Sequence, residues 1–175
     1  AILKNYLAAA QASGKPVPPG LQNAFAQEIQ KLNGQVGAMS PTDKAGFATL
    51  VGQAVASPIL SGPQQNFVKQ NVLPNAVTLT PQGLQTALAS ATTPADRMAI
   101  LKNYLAAAQA SGKPVPAALQ NMFAQELQGL QGQIKNMSPA AKTQFAALAG
   151  QAAQSPILSP AQQQFVQKQL LPSVV

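Results

Sequence analysis

AILKNYLAAAQASGKPVP occupies positions 1–18 and recurs, letter for letter, at positions 99–116. Extended outward from this segment, residues 1–77 align with 99–175 without a gap, and about two positions in three are identical. Matched landmarks hold the frame: LQN at Leu21 and Leu119, MSP at Met39 and Met137, SPILS at Ser57 and Ser155, QQ-x-FV at Gln64 and Gln162. The period, from position 1 to position 99, is 98 residues. It exceeds the roughly 20–50 residues of a solenoid turn, and each copy is long enough to bury a modest core. The chain therefore reads as a tandem duplication of a small helical bundle. Residues 1–77 and 99–175 are the repeat units, and 78–98 is a connecting helical segment that completes the period. The second copy stops at Val175 before reaching that segment again, so it is truncated, and the chain reads as cut or processed from a longer array. An alternative is that Ala1 follows a removed initiator methionine, as Met98 precedes the second copy.

The repeated segment is half of a helix. In its second copy Met98, Leu101, Leu105 and Ala108, with Ile100 and Tyr104 beside them, fall at helical spacing. The preceding Thr93-Pro94 supplies a hydroxyl N-cap and a proline at the first helical position. Gly112 marks the stop, and Lys-Pro-Val-Pro beyond it forces an extended link. The first copy starts inside this helix without the cap, and its N-terminus is expected to fray. Ser40-Pro41, Thr80-Pro81, Ser138-Pro139 and Ser159-Pro160 repeat the same signal. Asp43, Asp96 and Gln162 stand three residues after their caps as capping-box partners.

About five short helices per period follow. A second, from about Pro116 to Lys135, carries the stripe Leu119, Phe123, Leu127, Leu130, Ile134 and Met137. Its first-copy match is Leu21, Phe25, Ile29, Leu32, Val36 and Met39. A third starts at Pro139, SPIL is a tether, and a fourth runs from Pro160 until Pro172 ends it. A fifth covers Pro81 to about Ala91. No stretch alternates at period two, so the expected class is all-α. Phe25, Phe47 and Phe67 match Phe123, Phe145 and Phe165, one on each of three helices per unit. The expectation is that each trio closes a bundle core, each ring contributing roughly 1.5–3 kcal/mol. The alternative is that these six rings line a cavity for an apolar ligand.

Only 9% of residues are charged, and the net charge is +7, from ten scattered lysines and one arginine against Glu28, Asp43, Asp96 and Glu126. Glutamine, about one residue in seven, replaces the missing charge and keeps helix faces wet. Such a surface resists self-association poorly, because charge repulsion is what normally separates proteins. Without histidine or cysteine there is no imidazole base, thiolate ligand, disulfide or Ser-His-Asp arrangement. The four carboxylates are widely separated, Ser40 with Lys44 is more simply an N-cap than a catalytic pair, and no glycine-rich phosphate loop follows a strand. No catalytic residue, cofactor or metal site is assigned, and the chain is not expected to be an enzyme. No apolar run reaches the ~18 residues of a membrane span, and no signal peptide is visible. Low charge without cysteine favours a secreted or organellar setting over the cytoplasm.

The leading functional expectation is a non-catalytic structural or scaffolding module whose partner is protein, either itself or a larger assembly. The repeated 18 residues would form its contact surface through Lys4, Tyr6 and Lys15 and their counterparts Lys102, Tyr104 and Lys113. The alternatives are a carrier or binder of an apolar ligand, lipid or pigment, and a membrane-surface binder. The faces lack the lysine-rich edge that typifies interfacial helices. Nucleic-acid binding is less favoured still, because no basic stripe or aromatic stacking platform is present. With no side chain of ordinary pKa between about 4.5 and 10, stability should be nearly constant from roughly pH 5 to 9.

Overall fold

Each Ser/Thr–Pro pair read as a helix start begins one. The computed structural model describes residues 2–174; Ala1 and Val175, which open and close the expected repeat units, lie outside the described residues. Among the described residues all regular structure is helical. The chain folds as two compact units, Ala1–Thr78 and Leu79–Val175.

The first unit contains α1 (Ile2–Ser13), α2 (Pro19–Gln35), α3 (Pro41–Val55), α4 (Gly62–Phe67) and α5 (Leu73–Ala76). Ser40 Oγ caps α3 by accepting from the Asp43 N–H at 3.1 Å. Asp43 does not close the box; its carboxylate accepts from the Ser40 hydroxyl instead, at 2.7 Å. A further cap lies where the proline comes one residue later: the Ser61 N–H, ahead of Gly62 and Pro63, donates to Gln64 Oε1 at 3.0 Å. Helix α3 is central, packing against α1, α4 and α5. Leu7, Phe25, Ile29, Phe47, Val51, Ile59, Leu60 and Val72 are buried.

The second unit contains α6 (Pro81–Ala89), α7 (Pro94–Ser111), α8 (Ala117–Gly132), α9 (Pro139–Ala152) and α10 (Pro160–Phe165). Thr80, Thr93, Ser138 and Ser159 accept from the N–H three residues on. Thr93 with Asp96 and Ser159 with Gln162 form full capping boxes. Gly112 stops α7 at φ +61°, the left-handed conformation that favours glycine. Most of the segment expected to connect the copies folds here, because α6 packs on α7 and α8 while α7 packs on α9. Leu84, Leu101, Leu105, Phe123, Leu127, Phe145, Leu148 and Leu170 are buried.

Three sequence expectations are corrected. First, the phenylalanine trios do not close the cores. Phe25, Phe47, Phe123 and Phe145 are buried, but Phe67 is 45% exposed and Phe165 is half-buried. Second, the last helix of each unit does not end at its proline. It widens into a π turn, Val68–Val72 or Val166–Leu170, and continues as α5 or as a 3-10 turn, Leu171–Ser173. The Leu73 N–H donates to the Val68 carbonyl, and the Leu171 N–H to the Val166 carbonyl. A proline ring clashes with the carbonyl four residues back, so just before Pro74 and Pro172 the ladder shifts to the fifth. In that register Val68 and Val72, or Val166 and Leu170, turn inward. The phenylalanine one residue earlier is rotated about 100° away from them.

Third, the two long stripes are not equivalent. All six stripe residues of α8 and its trailing turn are buried, whereas in α2 and its turn Leu21, Leu32 and Met39 are only half-covered. Within the second unit α6 lies against α8.

Candidate functional site

Several of the polar and charged side chains help to build the fold. Ser40 Oγ serves as a cap, accepting from the Asp43 N–H and donating to the Asp43 carboxylate. Arg97 on α7 pairs with Glu126 on α8 at 2.7 Å, both partly buried. Glu28, which aligns with Glu126, pairs instead with Lys31 on its own helix. Among the described residues no three metal-binding side chains gather as a cluster.

The repeated landmarks LQN, SPIL and QQ converge on one network in each unit. The SPIL tether folds over with Ser57 and Ser155 buried, and their hydroxyls accept from the Ile59 and Ile157 N–H groups at 3.3 Å. The tether's carbonyls then need donors, since it has no helical ladder of its own. Gln65 Nε2 donates to the Ser57 and Leu60 carbonyls at 3.0 and 3.1 Å, and Gln22 Nε2 to the Pro58 carbonyl at 3.0 Å. In the second unit Gln163 reaches the Ser155 and Leu158 carbonyls at 2.8 and 3.2 Å, and Gln120 the Pro156 carbonyl at 3.0 Å. Gln64 donates to Asn23 Oδ1 and Gln162 to Asn121 Oδ1, each at 2.7 Å. Sequence reasoning took glutamine as solvent-facing filler and missed this clamp. The signal that could have found it was the recurrence of LQN, SPIL and QQ together in both copies.

The repeated 18 residues occupy two environments. Lys4, Lys15, Lys102 and Lys113 are all exposed. Tyr6 is 50% exposed, but its counterpart Tyr104 is only 4% exposed. This corrects the expected contact surface: Lys102 and Lys113 do not flank an accessible tyrosine. Burial pushes the Tyr104 phenol above its ordinary value of 10.0. On the core side the copies agree, with Leu7 and Ala10 buried on α1, and Leu105 and Ala108 on α7. On the adjacent side they differ. Ile100, Asn103, Tyr104 and Ala107 are buried, whereas Ile2, Asn5, Tyr6 and Ala9 are exposed.

The six phenylalanines do not form a common ligand lining. Phe25 and Phe47, like Phe123 and Phe145, lie in the interior; Phe67 and Phe165 sit at the periphery. At the start of α7, hydrogen bonds from the Thr93 and Thr92 side chains hold the Asp96 carboxyl below its ordinary 3.8. No helix among the described residues is long and apolar enough to cross a membrane. No protein-family model matches the chain, and no curated protein or solved structure matches it either.

Proposed function

We propose that the chain is a tandemly duplicated, non-catalytic helical module that works through protein–protein contact. The observation that carries this reading is the placement of its exposed large apolar side chains: Ile2 at 72%, with Tyr6 and Phe67. All three stand on the first unit, in a chain of which only 9% of residues are charged. Large apolar groups on a weakly charged face favour contact with another folded surface. The duplicated glutamine clamps support the same reading, because they spend the recurring polar residues on rigidity. A module of this kind presents a fixed shape and needs no reactive group.

Native mass spectrometry of the purified protein tests the proposal against the apolar-carrier alternative. The expected spectrum contains only the polypeptide mass and whole-number multiples of it. A lipid or pigment retained at fixed stoichiometry would replace the scaffold reading with a carrier. A salt-sensitive shift of DNA or RNA mobility would replace it with nucleic-acid binding.

A further inference from the structure

Asn33 is the one asparagine of the chain that is followed by glycine. Asparagine is thermolabile, because its side-chain carbonyl carbon lies within reach of the next residue's backbone nitrogen. A side chain on that next residue crowds the approach, and Gly34 has none. The pair sits in the last turn of α2, just ahead of the 3-10 turn Val36–Ala38. Asn33 is half-buried and Gly34 exposed, with open space where a Cβ would stand. The helical ladder holds the Gly34 nitrogen off the line of attack, so reaction waits for this turn to open. Helix ends fray first, and Gly34 and Gly37, two poor helix formers, make this end easy to open.

The neighbouring side chain favours attack. Asn75 on α5 donates from Nδ2 to Asn33 Oδ1 at 3.4 Å. That donor draws electrons from the carbon under attack and meets the negative charge that builds on its oxygen. The second unit carries Gln131-Gly132 at the matching place. There the longer side chain would have to close a larger ring, and its amide nitrogen is itself the donor, to Ser173 Oγ at 2.7 Å. One copy thus holds a reactive amide where the other holds a slow one.

We propose that Asn33 is a self-modification site, at which the chain converts this amide to a carboxylate with water as the co-reactant. The Gly34 nitrogen, giving its proton to hydroxide, attacks Asn33 Cγ. A new N–Cγ bond closes a succinimide, and the side-chain nitrogen takes a proton from water and leaves as ammonia. Water then opens the ring at either carbonyl, yielding aspartate at position 33 or its isomer linked through the side-chain carboxyl. One water enters and one ammonia leaves, with no oxidation or reduction. The product puts a negative charge near the C-terminal end of α2, where the helix dipole opposes it. The isomer also lengthens the main chain by a methylene and interrupts the ladder. The end of α2 therefore loosens with age, while α8 keeps its form.

The test holds the purified chain folded at mildly alkaline pH for several weeks and digests samples with trypsin, which frees LNGQVGAMSPTDK, residues 32–44. The expected result is a time-dependent mass gain equal to NH2 replaced by OH, in two chromatographically distinct forms. Fragment ions should place the change on residue 33 and leave Gln131 intact in its own peptide. Gly34→Ala, whose added methyl meets no neighbour, should keep the wild-type helicity and slow the gain severalfold. Asn33→Gln, which copies the second unit, should abolish it and is the second variant should Gly34→Ala fail to fold. A peptide that stays unmodified in the folded protein overturns the proposal, whether or not urea-unfolded protein gains the mass. A gain placed on Gln35 overturns it, and so does one that Gly34→Ala leaves at the wild-type rate, since the Gly34 nitrogen would then not be the nucleophile. None of these outcomes bears on the protein-contact reading.

Discussion

At the scale of single residues, the most informative groups are amides and one phenol. Gln163 satisfies two carbonyls of the buried tether with one side chain. Gln163→Ala should therefore cost about 1–3 kcal/mol, the penalty for stranding buried acceptors. Gln164→Ala, next along the helix at an exposed position, should stay within about 0.5 kcal/mol; urea melts of the two variants make the comparison. A glutamine clamp was not legible from the chain, because residue type and helical spacing are the same for a bonded and a solvated amide. Tyr104 behaves differently with pH. Its folded pKa is raised, so its contribution is complete below its ordinary 10.0 and is lost as pH rises beyond that value. Thermal melts in alkali should fall less steeply for Tyr104→Phe than for the wild type.

At the scale of elements, the helix starts were legible because hydroxyl caps and prolines act within one turn. The corrected rings were not, because burial depends on register. Phe123 and Phe67 share a residue type, yet one is interior and the other is 45% exposed. Phe123→Ala should cost about 3–5 kcal/mol, the range for a buried ring. Phe67→Ala should cost under about 1 kcal/mol. Denaturant midpoints at unchanged m-value separate the two. Pro74 and Pro172 are each preceded by a π turn, a backbone adjustment that hydrophobic spacing alone does not encode. The stop after α7 is a simpler case. At φ +61° Gly112 meets no neighbour that an added Cβ would strike. Gly112→Ala should therefore cost about 1–2 kcal/mol from backbone strain alone, read from the same melts.

At the scale of the whole molecule, the two perturbed groups titrate on either side of neutrality. Asp96 has a lowered pKa, so its contribution is present above its ordinary 3.8 and fades as pH falls below it. Tyr104 acts only in strong alkali. Thermal stability should therefore be flat from about pH 5 to about pH 9, and a melting temperature that moves steeply inside that window would reveal a titrating group held by the fold. The all-helical class was legible from helical spacing and punctuation. The unequal covering of matched segments was not, since it depends on which helices lie next to each copy and not on the letters of the copy itself. That inequality has a practical use. A protease that cuts on the amino side of lysine, before Lys4 and Lys15 and again before Lys102 and Lys113, releases KNYLAAAQASG from both places as one indistinguishable peptide. A phenol-directed nitrating reagent applied to the folded protein would reach Tyr6 and spare Tyr104. The modified fraction of that one peptide should then level off near half, and each copy would calibrate the other inside a single mass spectrum.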